Sequence, residues 1–291
     1  MSLAASRLAL PPRAPARRPR GRDRPTRALR ASRDLSVAPA GPSTPKPPLE
    51  LSALDALALK LFARALAREL ESDVDGTIDG VRDACLRLVR ESGSATRTRA
   101  RASRILRSLA PEWAFGAFAA ALRMFPGWFA ARHAAAVTPA LMYWLVGEAE
   151  VNDGGEGLTY DGGGTAPTNA FAAVFGGETA SAGYKQGVLL KRCRVLEETG
   201  CAAVCANVCK HPTQKFFTEE IGLPMTMTPN YETFECQFTY GATPPPASVD
   251  AAFKTPCFRQ CGVSATLADA QCGNCLSPEE ARPRVSRETA D

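Results

Sequence analysis

The feature of this sequence that most constrains its fold is a dense group of cysteines between Cys193 and Cys261. Seven of the ten cysteines lie in that segment, and two more follow it as the pair Cys272 and Cys275. Packing alone does not require such a density, because a buried cysteine contributes only what any small apolar side chain contributes. The segment therefore predicts a thiolate-bound metal or a set of disulfide bonds.

The positive charge of the chain is confined to its first 48 residues. The formal net charge is +5, but residues 1–48 hold ten Arg and one Lys against two Asp, which leaves 24 basic and 28 acidic residues in the remainder. Nucleic acid is therefore not a predicted partner. A segment rich in Arg, Ala, Pro and Ser, with few acidic residues and no secretory apolar run, is typical of an organelle transit peptide. We predict import into a plastid, with a plain disordered extension as the alternative.

Residues 49–150 predict a helical region. A helical period relates several apolar residues, which we expect to face the core as one stripe of a first helix: Leu51, Leu54, Leu57, Leu61, Ala65 and Leu66. A second helix is predicted from about Thr77 to Arg90, with Cys85 among its core-facing residues.

The segment from Trp113 to Gly147 is unusually apolar and aromatic. Charged residues and two proline-containing steps interrupt it below the ~18 apolar residues of a membrane span, so it predicts soluble helices and no transmembrane segment. Thr138 and Pro139 predict the start of a short helix that ends at Gly147. A filled core is the ordinary interpretation of such a segment. The alternative is an apolar substrate-binding cavity lined by Phe125, Trp128, Tyr143 and Trp144.

The remaining chain predicts three further regions. Residues 151–183 are Gly-rich and predict a flexible insertion, residues 184–276 are rich in Cys, and residues 277–291 predict a disordered tail. Within the second region, Gly187 to Thr199 predicts a helix, and Cys236, Phe238 and Tyr240 alternate as in a strand. The predicted fold class is mainly α: a helical domain with a Cys-rich C-terminal part that carries a small β-hairpin.

The spacing of the cysteines limits how they can share a metal ion. Cys201, Cys205 and Cys209 are four residues apart and lie on one face of a helix. Eight residues of unbroken helix separate the first and last by ~12 Å, too far for one ion. We therefore expect Cys205 and at least one of its two neighbours to be completed by cysteines from elsewhere, and we expect Cys85 to be dispensable. The predicted metal-binding set is Cys193, Cys201, Cys205, Cys209, Cys236, Cys257 and Cys261.

The spacing does not decide which chemistry those thiols serve. Iron, an iron–sulfur cluster, zinc, disulfide bonds and inert buried thiols all stay open. Disulfides are disfavoured in a reducing compartment. Zinc sites usually show two C-x2-C pairs, and only Cys272 and Cys275 have that spacing here.

Several motifs of this chain resemble a known family. The run GVLLKRCRVLEETGCAAVCANVCKHPTQKFF, followed by GLPMTMTPNYETFECQFTYG and FKTPCFRQC, resembles the C-terminal signature of the plastid β-carotene isomerases of the strigolactone pathway. The upstream TPALMYWLVG is also similar to that family. The resemblance implies an iron-containing enzyme, with a mononuclear ion or an iron–sulfur cluster, that interconverts all-trans- and 9-cis-β-carotene in the plastid. A hydrophobic carotenoid substrate and peripheral contact with plastid membranes are the partners expected of such an enzyme.

Two routes could lower the rotation barrier of a carotenoid double bond. Iron can exchange one electron with the polyene, whereas zinc is redox-inert. A carboxylic acid with a raised pKa could instead protonate it, and Glu197, Glu198 and Glu235 are the carboxylates within the motif. Two other classes of function are compatible with the cysteines: a plastid iron–sulfur electron-transfer or assembly protein, and a zinc-stapled interaction module.

Overall fold

The computed structural model describes residues 41–45, 49–154 and 183–255, all of which belong to one compact unit. The fold is mainly α, as predicted, with a small antiparallel sheet. Most of the predicted transit peptide, most of the Gly-rich insertion, Cys257, Cys261 and the Cys272/Cys275 pair lie outside these residues. The first five helices are α1 (Ala53–Leu70), α2 (Ile78–Ser92), α3 (Ala95–Arg107), α4 (Glu112–Arg123) and α5 (Gly127–Val146). None of the helices in the described ranges is both long and apolar enough to cross a membrane.

The first helix buries only part of the predicted stripe. Ser52 and Asp55 form a capping box at its start, and the core side includes Leu59 and Leu66. By contrast, Leu54 is 78% exposed, and two further leucines of the predicted stripe are also exposed, Leu57 and Leu61. Ala65 and Leu66 are buried, as predicted. The three exposed leucines were wrongly assigned to the core because Leu and Ala occur on nearly every side of this helix, so that periodicity does not single out one face.

The aromatic segment forms two helices, α4 and α5. The separate helix predicted to start at Thr138 is instead the second half of α5, which contains Pro139. Thr138 is buried and its hydroxyl donates to the carbonyl of Ala134 at 2.7 Å, a bond made inside a helix rather than at a cap. The helix ends before Gly147, as predicted.

Four short strands form a small sheet: β1 (Ala149–Asn152), β2 (Gly187–Leu190), β3 (Met225–Pro229) and β4 (Cys236–Tyr240). The sheet is antiparallel, with the strand order β1-β2-β4-β3. The predicted hairpin is β3–β4, in which Pro229 lies opposite Cys236.

The prediction of a helix over 187–199 is wrong in its first part. These residues form β2, which pairs with both β1 and β4. A central strand is apolar on both sides and cannot be distinguished from a buried helix by periodicity alone.

After β2, a short helix, α6 (Arg194–Thr199), precedes a continuous helical segment, residues 202–221, that alternates between α- and π-helical turns. A π-helix, π1 (Val204–Lys210), leads into α7 (His211–Lys215) and then into a second π-helix, π2 (Phe216–Ile221). The helical segment continues through Pro212. A proline has no N–H to donate to the helix, and Pro212 lies next to the junction between π1 and α7, where the wider π-turn meets the α-turn. A 3₁₀ turn, Ala251–Phe253, follows the sheet.

Two hydrophobic clusters hold these elements together. The first packs α1, α2 and α3 against α6 and π1, and the second packs α5 and π2 against the sheet. Cys193 packs against both clusters. The described parts of the N-terminal helical region and of the Cys-rich region therefore share their cores.

Candidate functional site

A cavity of about 180 Å³ lies where the two hydrophobic clusters meet. Its walls come from all helices except α4 and π2, and from strands β2, β3 and β4. The lining is almost entirely aliphatic, aromatic or sulfur-containing. Representative members are Leu66, Val81, Met142, Leu145, Leu190 and Phe238. A site with this lining can bind a hydrocarbon but offers few hydrogen bonds to a polar ligand.

Five cysteines line this cavity. Cys85 comes from α2, Cys193 precedes α6, Cys205 and Cys209 come from π1, and Cys236 comes from β4. All five are free thiols. The chain thus brings four members of the predicted metal-binding set to one cavity, together with a fifth cysteine from outside that set.

Of the three cysteines spaced by four residues, Cys201 lies outside the helical segment, whereas Cys205 and Cys209 lie inside it. Regular helix begins at residue 202, so Cys201 precedes it and is buried among the residues of the first cluster. Cys205 and Cys209 follow inside π1 and both reach the cavity. π-Helical turns are rare and frequently occur at functional sites.

Burial determines the protonation of these thiols. It raises the pKa of Cys85 and Cys205 to about 12 and raises the pKa of Cys193, Cys209 and Cys236 as well. The charges of neighbouring thiols act in the same direction at Cys205, Cys209 and Cys236. The thiols are therefore neutral at physiological pH unless a bound cation stabilises their thiolates.

Two groups counteract part of this effect at Cys205. The hydroxyl of Tyr231 hydrogen-bonds to the Cys205 sulfur, and the ammonium of Lys210 lies near enough to favour the thiolate. Burial still dominates, and the pKa of Tyr231 is also raised well above its ordinary value. The Tyr231 O–H donates to the carbonyl of Ala252 at 3.1 Å, so the Tyr231 oxygen is the acceptor toward the neutral Cys205 thiol.

The described thiols have the chemistry of a soft-metal site but not its geometry. Thiolates suit iron, iron–sulfur clusters and zinc. Among residues 49–154 and 183–255, however, no three Cys, His, Asp or Glu side chains are placed to hold one ion. His211 packs edge-on against Phe253, with ring centroids 6.2 Å apart, and does not line the cavity.

The predicted catalytic carboxylates lie away from the cavity wall. Glu197 forms an ion pair with Arg192 at 2.6 Å, and Glu235 accepts a hydrogen bond from the Thr233 hydroxyl at 2.9 Å. Neither they nor Glu198 is among the residues that line the cavity. None of the three carboxyl groups can therefore protonate a ligand in the cavity directly, as the acid-catalysed mechanism would require.

Of the four aromatic residues predicted to bind substrate, only Trp144 lines the cavity. It packs against Phe62 of α1, with ring centroids 5.6 Å apart. Trp128 is buried elsewhere, under the guanidinium of Arg132. The other two do not reach the cavity: Phe125 is exposed and Tyr143 is half-buried.

A buried ion pair beside the thiols was not predicted. The Nζ atom of Lys210 lies 2.7 Å from Asp250 Oδ2 and donates a hydrogen bond to the carbonyl of Met227. The side chains of Lys210 and Asp250 are only 2% and 8% exposed. Asp250 Oδ1 also accepts a hydrogen bond from the Ala252 amide, so the pair ties the 3₁₀ turn to π1. The sequence gives little signal for it, because the two residues are far apart in the chain.

Comparisons with known proteins concern the part of the chain that builds most of this site. Residues 144–249 match the family described as Beta-carotene isomerase D27-like, C-terminal. A chloroplastic β-carotene isomerase D27 of Medicago truncatula is 42% identical over 77 residues, which are 26% of this chain and 31% of that protein. Its counterpart from Arabidopsis thaliana is 36% identical over 77 residues, 26% of this chain and 29% of that protein. The matches thus span about three-tenths of the length of these relatives, and no solved structure matches the chain.

The matched range contains the four-stranded sheet, α6 and the whole helical segment with both π-helices. It also contains four of the five thiols that line the cavity; the fifth, Cys85, lies upstream in α2. Residues 144–249 are therefore similar to the C-terminal domain of the β-carotene isomerase D27-like family.

Proposed function

We propose that this chain is a plastid enzyme that isomerises all-trans-β-carotene to 9-cis-β-carotene and so contributes to the strigolactone pathway. The observation that carries the proposal is the apolar, thiol-lined cavity in the D27-like domain. The similar proteins from Medicago truncatula and Arabidopsis thaliana are named chloroplastic β-carotene isomerases, which supports both the reaction and the compartment.

The cavity wall suits a substrate that has no polar groups. Binding then comes from apolar area removed from water, at roughly 25 cal/mol per Å². A dry interior offers no water with which a reactive polyene could combine. Most of that wall is aliphatic, with Phe62, Trp144 and Phe238 as its aromatic members.

The size of the cavity supports a reaction near one end of the substrate. A cavity of ~150 Å³ lined by apolar side chains binds benzene, so the cavity of about 180 Å³ holds a ring-sized group. β-Carotene carries one ring at each end of a long polyene, and the 9,10 double bond lies only a few bonds from the ring. With a ring inside the cavity, that bond lies close to the thiols, whereas the central bond stays outside.

We propose iron as the cofactor. No three of the described thiols are placed around one ion, so we infer that a subset of Cys193, Cys205, Cys209 and Cys236 would be completed by Cys257 or Cys261, which lie outside the described residues. When bound, iron would supply the one-electron chemistry that reduces the order of the double bond. The chain's own residues bind the ring, exclude water and orient the sulfur atoms. Tyr231 orients Cys205 by its hydrogen bond, and Lys210 favours the ionised sulfur that a metal requires.

Turnover of the carotenoid tests this function directly. Purified protein, reconstituted with iron under anaerobic conditions, is incubated with all-trans-β-carotene in detergent, and the isomers are separated by chromatography. We expect 9-cis-β-carotene to form. An iron-loaded protein that leaves the isomer ratio unchanged contradicts the proposal and favours the electron-transfer or assembly function. A protein that purifies with zinc and no iron favours the zinc-stapled module.

Filling the cavity should abolish turnover without unfolding the protein. Val208 lines the cavity and is partly buried. In Val208→Phe the added ring occupies the space of the substrate, and we expect turnover to fall at least ~10-fold, while overpacking costs only about 1–3 kcal/mol of stability. The measurement is the initial rate of isomerisation at a temperature where both proteins are folded.

The matched control is Val151→Phe, because Val151 is exposed on β1 and does not line the cavity. It should keep the rate of the unmodified protein. Equal rates in Val208→Phe and Val151→Phe would show that the substrate does not enter this cavity.

A further inference from the structure

The exposed face of α4 is apolar from Trp113 onward, after the exposed Glu112 at the first position of the helix. Trp113 is 75% exposed, Met124 just after the helix is 82% exposed, and Phe118 and Phe125 are exposed as well. Between Trp113 and Phe125 the only charged residue is Arg123. A contiguous apolar surface of this kind, which is called the α4 face below, marks an interaction site rather than an ordinary solvated helix.

The opposite side of α4 is fixed to the body of the protein. Phe115 packs edge-to-face against Phe216 of π2, with ring centroids 5.0 Å apart, and Leu122 packs against the second hydrophobic cluster. Ala119 is buried between them. The helix therefore presents the α4 face on a rigid support.

Leu109 connects the wall of the cavity to the surface beside α4. It lies in the turn between α3 and α4, lines the cavity and is 43% exposed. A ring-sized cavity leaves most of a C40 polyene outside. A polyene that leaves the cavity beside Leu109 passes next to the α4 face and requires an apolar environment there.

We propose that the α4 face, with Leu109 at its edge, docks on the surface of a lipid bilayer, so that one end of the substrate passes from the lipid into the cavity. The transfer of substrate from lipid to cavity rests on the proposed function, whereas the docking of the α4 face on a bilayer does not. The helix has 12 residues, too few to span a bilayer, and can lie only in the plane of the interface. Trp is enriched at that level of a membrane, and a cation such as Arg123 is attracted to anionic headgroups.

Flotation of the full chain with vesicles tests the docking surface. The vesicles contain phosphatidylcholine with or without phosphatidylglycerol and no carotenoid, so that the result is independent of turnover. We expect the protein to float with both, more strongly with the anionic lipid. Trp113→Asp/Met124→Asp should weaken binding at least ~10-fold, because two charges would enter the apolar part of the interface.

Leu54→Asp/Leu57→Asp is the matched control. Both leucines are exposed on α1, so the variant changes the same number of exposed apolar residues on another helix, and its vesicle binding should be unchanged. Circular dichroism and the melting temperature verify that both double variants are folded. Equal loss of binding in the two variants would overturn the assignment to the α4 face.

Two further outcomes separate the surface from the proposed reaction. A protein that isomerises detergent-solubilised β-carotene but does not float would overturn the docking proposal and leave the function intact. A protein that floats through the α4 face but never isomerises would leave the docking intact and contradict the function. If sedimentation shows a dimer that becomes a monomer in Trp113→Asp/Met124→Asp, and vesicles do not bind, the face is a contact with a second copy and the bilayer proposal is wrong.

Discussion

Replacing Lys210 by methionine is expected to lower the free energy of unfolding by roughly 3–5 kcal/mol, because it leaves the buried Asp250 carboxylate without its counter-charge. The Met227 carbonyl also loses the hydrogen bond that it accepts from Lys210. The 3₁₀ turn would then lose its electrostatic attachment to π1. Chemical denaturation followed by circular dichroism measures the effect.

The double variant Lys210→Met/Asp250→Asn separates the loss of the pair from the loss of packing. The introduced asparagine would keep an oxygen that can accept from the Ala252 amide, as Asp250 does, but would carry no charge. Removing both charges of a buried pair is often nearly neutral, so we expect the double variant to regain most of the lost stability. A single variant that loses less than about 1 kcal/mol would show that the pair is effectively hydrated.

The proposed iron-dependent function predicts that Cys205→Ser loses iron and isomerase activity together. Cys205 lines the cavity, hydrogen-bonds to Tyr231 and shares π1 with Cys209. Changes to groups that only support a metal ligand already cost up to ~100-fold, so loss of a ligand should cost at least as much. Metal analysis and isomer chromatography on the same preparation provide the two measurements.

Cys201→Ser is the matched control, since Cys201 is also buried but does not line the cavity. It should keep both iron and turnover, apart from a modest loss of stability. Cys85→Ser should also keep its iron, although Cys85 lines the cavity, because Cys85 lies outside the predicted ligand set. Full iron content and full turnover in Cys205→Ser would refute the thiolate–iron proposal.

The sequence was sufficient where a local pattern has only one structural solution. The alternation of Cys236, Phe238 and Tyr240 predicted β4, because only a strand buries every second residue. The start of α2 after Thr77 lies where it was predicted, and Gly147 marked the end of α5. The cysteine-dense segment supplies four of the five cavity thiols.

The rest depended on contacts between distant segments. The buried side of α1 is chosen by its neighbours, since Leu59 and Leu54 are equally apolar, and one is buried while the other is exposed. The difference between Cys201 and Cys205 depends on where the helix begins, and a spacing of four does not reveal that. The cavity unites side chains from most elements of the described fold, so no single motif could have predicted its lining.

Under the proposed function, the size of the cavity has a consequence for the order of products. β-Carotene has two identical halves, and an enzyme that admits one ring per encounter treats each half as a separate substrate. A second isomerisation on the same molecule then requires release and re-entry from the other end, so singly isomerised product should accumulate before any doubly isomerised form. A carotenoid altered only at its far ring should react about as fast as β-carotene itself, since that ring never meets the thiols.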